Sequence, residues 1–384
     1  MDTKRIIKLT FFIFALLFSK LSLAQEHQHK TMMWDGIERQ YLMYVPANVT
    51  SSAPVLFCLH GLGNDMTEFA TLFNFDAIAD QHGWIVITPQ ALLAELPVIG
   101  SMTAWNSGIA GEFMGTEIAV NSDVDDKGFL MAILDTLIAN YDIDQNQVFF
   151  AGFSMGGFMT NRMAIECGNR ITAIVSASGT IATPLATQIP VAKIKTMHIH
   201  GDADQTVSYP DASFPIFGSV GLGAEATVEY WRSHNQCNTT PEIYDYPDIV
   251  ADGLTFRKYT YSGGENNTVT AFIKVFGGEH TYYYKPEHDI DYRIEMFNFF
   301  TNQSVSIAEN NKPELSIFPN QVNDRLFIKG ENIVQITIYD MHGRMLLSET
   351  KTTNQISVSD LSQGVYVIKI QTADQLKTMK FVKL

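Results

Sequence analysis

The chain has 384 residues, 46% of them apolar, with 41 acidic against 26 basic side chains and a formal net charge of −15. That length suits a large domain followed by a smaller one, and the apolar share is enough for a sizeable core. So acidic a composition argues against nucleic acid and anionic lipid surfaces as partners.

Residues 1–24 have the form of a secretory signal. Lys4, Arg5 and Lys8 precede an apolar run over residues 9–18, and Ser22-Leu23-Ala24 supplies small residues at the cleavage position. The run is well short of the roughly 20 residues that span a bilayer, so removal is expected rather than anchoring, and no membrane span is expected after it.

Over residues 32–300 apolar strands alternate with amphipathic helices, the rhythm of a mostly parallel sheet covered by helices on both faces. An α/β domain over residues 25–302 is therefore predicted. Residues 55–59 and 84–88 read as strands with a helix over 66–80 between them. Asp125 or Asp126 is placed to N-cap a helix whose Phe129, Leu130, Ile133, Leu134 and Leu137 recur at spacings of three and four. Further strands are expected at 147–151, 171–177, 196–200 and 271–276, with a closing helix over 290–300. Residues 303–311 are polar and aperiodic, a linker. Short alternating segments at 315–318, 325–329, 334–339, 345–349, 365–371 and 377–382 then predict a small all-β sandwich over residues 312–384. Nothing in this tail looks catalytic.

Three cysteines are an odd number for an exported chain. Cys58 lies in an apolar strand and reads as a buried thiol, whereas Cys167 and Cys237 are candidates to pair with each other. Their spacing fits no zinc pattern, so no metal is expected.

The chemistry-bearing stretch is Ala151-Gly152-Phe153-Ser154-Met155-Gly156-Gly157. It is a Gly-x-Ser-x-Gly elbow between an apolar strand and a helix, where a serine sits on a strained bend with its hydroxyl raised above the sheet. Such a nucleophile needs a base and an acid, which in this sheet type follow it in the order acid, then histidine. Of the later histidines, His342 lies in the tail, and His198 and His200 sit inside a strand ahead of any acid. His234 ends a helix and His288 lies in a polar loop, so both read as solvated. His280, in Gly277-Gly278-Glu279-His280 after a strand, is carried to the sheet's C-terminal edge. On position alone Asp202 and Asp204, at the end of the preceding strand, are both candidates for the acid. Leu59-His60-Gly61-Leu62-Gly63 follows the first buried strand and matches a loop whose backbone N–H, here that of Leu62, joins that of Met155 in an oxyanion hole. His60 reads as fixing the loop. Met102, Met114 and Met131 read as packing.

With these residues in place, residues 31–300 resemble the secreted esterase family that joins polyhydroxybutyrate depolymerases, feruloyl esterases and acetyl-xylan esterases. Trp105-Asn106, the segment Val124 through Leu130, Tyr141-Asp142-Ile143-Asp144 and the elbow with Met159, Thr160 and Arg162 carry the likeness. The family's His-Gly-x-x-Asp-x-x-Val pattern aligns His200, Gly201, Asp204 and Val207, which favours Asp204 as the acid. Its Gly-Gly-x-His pattern places the base at His280. The resemblance implies an α/β-hydrolase that cleaves carboxylic esters through an acyl-enzyme, without a cofactor, and it implies Trp105 as a wall of the substrate pocket. Tyr282-Tyr283-Tyr284 stands where many relatives have tryptophan, and His-Gly-Leu-Gly replaces the His-Gly-Cys of many depolymerases; both departures are expected near the substrate entrance. A serine peptidase of the prolyl-oligopeptidase type shares the fold and residue order but expects an upstream propeller. A non-catalytic surface protein binding carbohydrate is the other rival, and an intact triad argues against it. The tail resembles the C-terminal sorting domain of the type IX secretion system, through Phe318-Pro319-Asn320, Ile338-Tyr339-Asp340 with Gly343-Arg344, Gly364-Val365-Tyr366 and the terminal Lys380-Phe381-Val382-Lys383-Leu384. It implies the secretion machinery as a partner and a secreted or cell-surface location.

Overall fold

The computed structural model describes residues 26–49, 51–214, 217–302, 316–319, 321–329, 333–340, 344–350, 354–372 and 376–384. The expected signal and linker lie outside them. The described residues fall into two compact units that divide after Asn302.

In the first unit the chain runs β1 (Gln28–Trp34), β2 (Ile37–Tyr44), β3 (Ala53–Leu59), α1 (Met66–Phe73), α2 (Asp76–His82) and β4 (Ile85–Pro89). Two small hairpins follow, β5 (Leu93–Leu96) with β6 (Gly100–Thr103) and β7 (Ala110–Phe113) with β8 (Thr116–Ala119). Next come α3 (Asp126–Asn140), β9 (Ile143–Phe153), α4 (Met155–Cys167), β10 (Ala173–Ala177), β11 (Lys195–Gly201) and the short pair β12 (Ser213–Phe214) and β13 (Gly218–Ser219). The unit closes with α5 (Ala224–Asn235), β14 (Glu242–Asp245), β15 (Thr255–Tyr261), β16 (Thr270–Phe276) and α6 (Tyr292–Thr301).

Ten of these strands form one sheet in the order β1-β2-β4-β3-β9-β10-β11-β16-β15-β14. The six central strands, β4 through β16, are mutually parallel, and the two at each edge are antiparallel. Central strands are apolar throughout because both faces are covered: every residue of β4 and β10 is buried. In β3, Val55, Phe57 and Leu59 enter one core with α3 and α4, while Leu56 and Cys58 enter a second core with α1, α2 and α6. Asp125 caps α3 by accepting the Gly128 N–H at 2.9 Å.

The sequence reading needs several corrections. The helix expected over 66–80 is two helices, because Asn74 takes a left-handed conformation (φ 42°, ψ 63°) that ends α1. The parallel rhythm omitted the antiparallel edge strands, of which β1, β14 and β15 are mostly exposed or half-buried and so carry a weaker apolar signal. Cys58, Cys167 and Cys237 are all thiols, so the Cys167–Cys237 pair does not form. The Cys237 sulfur instead faces Thr268 O at 3.8 Å and the Thr270 hydroxyl at 3.9 Å. Met102 and Met131 do pack on the core, but Met114 is 90% exposed at the tip of the β7–β8 hairpin.

The second unit holds β17 (Ser316–Phe318), β18 (Gln321–Val322), β19 (Arg325–Lys329), β20 (Ile333–Asp340), β21 (Met345–Glu349), β22 (Gln355–Ser357), β23 (Gly364–Thr372) and β24 (Leu376–Lys383). They form two sheets, β17-β19-β22 and β18-β24-β23-β20-β21. One core joins them, with Leu326, Ile328 and Ile356 from the first meeting Ile336, Ile368 and Phe381 from the second. The two strands not foreseen, β18 and β22, have two and three residues, too few for alternation to register. Among the described residues no helix is long and apolar enough to cross a membrane.

Denatured without reductant, the protein is expected to titrate three thiols with a thiol-reactive disulfide reagent, Cys167 reacting first in the native state because Cys58 and Cys237 are buried. A single titratable thiol per chain would mean that a disulfide exists and that the packing around Cys237 is wrong.

Candidate functional site

The residues singled out from sequence lie just past the C-terminal ends of β3, β9, β11 and β16, the edge where open parallel sheets place their ligands. Ser154 ends β9 with φ 55° and ψ −124°. Such a backbone costs about 1–3 kcal/mol and persists only where the surroundings enforce it. Its N–H donates to Ala177 O at 2.9 Å, and its carbonyl accepts from Gly157 at 2.8 Å and Phe158 at 3.1 Å. Glycine is required where α4 begins: a Cβ on Gly156 would fall 2.0 Å from Leu59 O, and one on Gly152 2.2 Å from Gly156 O. That close approach sets the loop after β3 against the serine, whose Cβ would lie 3.4 Å from a Cβ built on Gly61.

Asp204 is buried in the turn after β11. Its Oδ1 accepts the N–H groups of Thr206 at 2.9 Å and Val207 at 2.8 Å. Its Oδ2 lies 2.7 Å from Nδ1 of His280 and 3.3 Å from Nε2 of His200. Burial pushes this carboxyl up, but the bonds from His200, His280 and the Val207 N–H outweigh it and hold Asp204 well below the usual carboxylate range. Asp202, the other candidate, is exposed and accepts the Gly277 N–H at 2.7 Å, tying the two loops together. The His280 ring packs on Phe153 at 4.8 Å between centroids, and Phe153 packs on Tyr282 at 4.2 Å.

The loop after β3 is held from behind. His60 is fully buried, and its Nδ1 donates to Gly61 O at 2.7 Å because a carbonyl can only accept. Its Nε2 is then the acceptor for the Ala91 N–H at 3.1 Å. Burial lowers its pKa to about 4 against smaller opposing effects of the Gly61 bond and Asp65, so the ring is neutral. Gly63 N–H donates to Thr103 O at 2.9 Å, fixing the loop's far side. Leu62, Ser154 and Met155 line a small apolar pocket of about 20 Å³ together with Leu96, Ile109, Phe158, Phe214, Phe217 and Val220.

Trp105 is corrected from its expected place on the pocket wall. It is wholly buried, and its Nε1–H donates to His60 O at 2.9 Å, so it braces the loop instead of meeting a ligand. A network missed in the sequence stands behind it. Asp126 pairs with Arg39 at 2.6 Å and accepts the Asn106 N–H at 2.7 Å, while Arg162 donates to Asn106 O at 2.6 Å. The Tyr282–Tyr284 departure is not at an entrance either. Tyr282 and Tyr283 are buried beneath the His280 loop, and the Tyr283 hydroxyl accepts the Glu279 N–H at 2.7 Å. Nor are the rejected histidines solvated: His234 Nε2 bonds Ala192 O at 3.0 Å and His288 pairs with Asp252 at 2.7 Å. Among the described residues no group of His, Cys, Asp and Glu is arranged to hold a metal ion.

Residues 43–213 match the family described as phospholipase/carboxylesterase, and residues 316–384 match the secretion system C-terminal sorting domain. The chain is similar to a bifunctional acetylxylan esterase/xylanase of Neocallimastix patriciarum, 27% identical over 248 residues that cover 64% of this chain and 31% of that protein. It is also similar to feruloyl esterase B of Talaromyces stipitatus, 27% identical over 247 residues, 62% of this chain and 64% of that one. The chain thus spans about a third of the first relative and under two thirds of the second. Among solved structures it is similar to an acetyl xylan esterase from Aspergillus awamori, with 17% identity and a TM-score of 0.49 over 71% of this chain and 99% of that one.

A pH dependence of stability follows from the braced loop. In the unfolded chain His60 regains its ordinary value near 6.5, so as pH falls below 6.5 the unfolded state takes up a proton that the folded state refuses until about 4. Stability is therefore expected to be full above pH 6.5 and to fall by about 3 kcal/mol between pH 6.5 and 4 on account of His60. The buried His198, held well below its ordinary value by burial and by His200, steepens the same slope. Urea unfolding across that window checks it: His60→Gln should flatten the slope, and a wild-type stability unchanged from pH 6.5 to 4 contradicts it.

Proposed function

We propose that this chain, whose body belongs to the phospholipase/carboxylesterase kind of α/β-hydrolase and whose tail is a secretion-system sorting domain, hydrolyses carboxylic esters through a covalent acyl-enzyme. Ser154 is the nucleophile, His280 the general base and Asp204 the group that orients it. The observation that carries the reading is the 2.7 Å bond from His280 Nδ1 to buried Asp204, at the same sheet edge as the strained Ser154. With Nδ1 donating to the carboxylate, Nε2 is left as the acceptor for the serine proton.

Attack on the ester carbonyl gives a tetrahedral intermediate, and the N–H groups of Leu62 and Met155 receive its oxyanion. The first N–H groups of a helix lack intrahelical partners, which suits Met155 at the start of α4 for this role. Preorganised donors of this kind contribute about 10²–10³ in rate. His280 then protonates the leaving alcohol, the acyl group stays on Ser154, and water activated by the same imidazole releases the acid. Every step is a proton transfer or an acyl transfer among Ser154, His280, the ester and water.

The pocket beside Ser154 is walled by aliphatic and aromatic side chains, which favours an apolar acyl group. Acetylxylan and feruloyl esters, which the relatives' names carry, are the substrate classes proposed. The sorting tail marks the chain for type IX secretion to the cell surface or exterior, where such polymer-borne esters are met. The signal-peptide reading of residues 1–24 and the secretion machinery as partner belong to the same proposal.

Turnover of p-nitrophenyl acetate, p-nitrophenyl butyrate and methyl ferulate tests the function. Wild type is expected to hydrolyse at least one of them, and Ser154→Ala to lose at least ~10⁴-fold in kcat with its fold intact. Undiminished turnover in Ser154→Ala sinks the mechanism, and no turnover of any ester by wild type favours the binding-protein reading.

A further inference from the structure

Behind Asp204 lies a buried side chain that the proposed hydrolysis does not use. His200 is fully buried at the end of β11, with Nε2 2.9 Å from Val207 O and 3.3 Å from Asp204 Oδ2. Because the carbonyl accepts only, Nε2 carries the proton and donates it to Val207 O, with Asp204 Oδ2 standing against the same N–H edge. With the proton on Nε2, Nδ1 of His200 faces Nε2 of His198 at 3.1 Å and takes its N–H. His198, also buried, thereby locks the tautomer of His200.

Both oxygens of Asp204 are thus held. Thr206 and Val207 N–H groups serve Oδ1, His280 serves Oδ2, and the N–H edge of His200 lies 3.3 Å from that same Oδ2. Val207 closes a ring, since its N–H reaches Asp204 and its carbonyl takes the His200 proton. Two apolar side chains would fill this space without the desolvation that two buried imidazoles suffer. What apolar residues do not supply is a polar N–H edge against the oxygen that also receives His280, tied to the Val207 segment that holds the other oxygen.

We propose that His200 is a positioning residue for the reaction: a tautomer-locked imidazole that fixes the plane of the Asp204 carboxylate and, through it, the aim of His280, with His198 holding its proton in place. The inference rests on the ester-hydrolase reading above, in which the Asp204–His280 pair orients the base. Small misplacements of a reacting group reduce rates steeply, which is why the rotation of this carboxylate has to be fixed.

The test compares wild type, His200→Phe, His200→Gln and His200→Asn by kcat and KM on p-nitrophenyl butyrate, by thermal unfolding, and by the low-field proton resonance of the His280 Nδ1–H bound to Asp204. His200→Phe keeps a ring but no donor, so kcat should fall ~10–100-fold, with KM within about two-fold of wild type, and the resonance should move. His200→Gln, whose amide nitrogen reaches the place of Nε2, should recover most of kcat, whereas the shorter His200→Asn should not. If His200→Phe does not fold, the contrast between Gln and Asn decides. Wild-type kcat in His200→Phe, or equal kcat in His200→Gln and His200→Asn, overturns the proposal. Should wild type turn over no ester, the hydrolase reading itself fails; the resonance needs no substrate, and its staying fixed in His200→Phe would overturn the positioning role separately.

Discussion

A 2.7 Å hydrogen bond between Asp204 and His280 joins two loops 76 residues apart, and the arrangement of the candidate site turns on it. The sheet makes the meeting possible. β11 and β16 are neighbours in parallel register, with Gly201 opposite Val275, although α5, β14 and β15 lie between them in the chain. Past the strand ends the two backbones touch: a Cβ on Gly201 would fall 2.1 Å from Gly278 O, and Ala203 N–H donates to that carbonyl at 3.0 Å. Asp204 and His280 are therefore side by side because their strands are, and because glycine lets the turns close on each other.

The Ser154 side of the edge is held by a different logic, in which strain at one residue is offset by packing around it. Ser154 keeps a backbone that a serine avoids because Ala177, Gly157 and Phe158 bind its amide and carbonyl. The loop after β3 is fixed through side chains buried to exclusion of water: His60 bonds forward to Gly61 and across to Ala91, and Trp105 bonds to His60 O. Behind Trp105 the Arg39–Asp126 pair is wholly buried. Losing either partner of such a pair strands a charge, typically at 3–5 kcal/mol, so the anchor acts as a unit. The hairpins between β4 and α3 leave from this fixed base, and two of their flanking residues, Leu96 and Ile109, wall the pocket.

The parallel core and the candidate site were legible for a simple reason: both are written in local residue type and order. Buried parallel strands are runs of apolar residues, and the elbow, the Gly-Gly-x-His loop and the turn after β11 each lie within a few residues of a strand end. What escaped the sequence depends on contacts between distant segments. Trp105 reads identically as a pocket wall or a core brace until His60 is known to lie beneath it, and the same holds for Tyr282 and Tyr283 under the His280 loop. Asp202 and Asp204 differ by two positions, yet one is exposed and ties loops while the other is buried against His280. Asn74 could not be recognised as a helix breaker, since asparagine enters a left-handed conformation only where the following chain turns away.

Covalent capture tests the central claim most directly. Treatment with a fluorophosphonate followed by peptide mass spectrometry is expected to place one adduct per chain on the peptide containing Ser154, with capture slowed at least ~10³-fold in His280→Ala. Labelling at another serine, or a rate indifferent to His280, would contradict an alcohol activated by that imidazole.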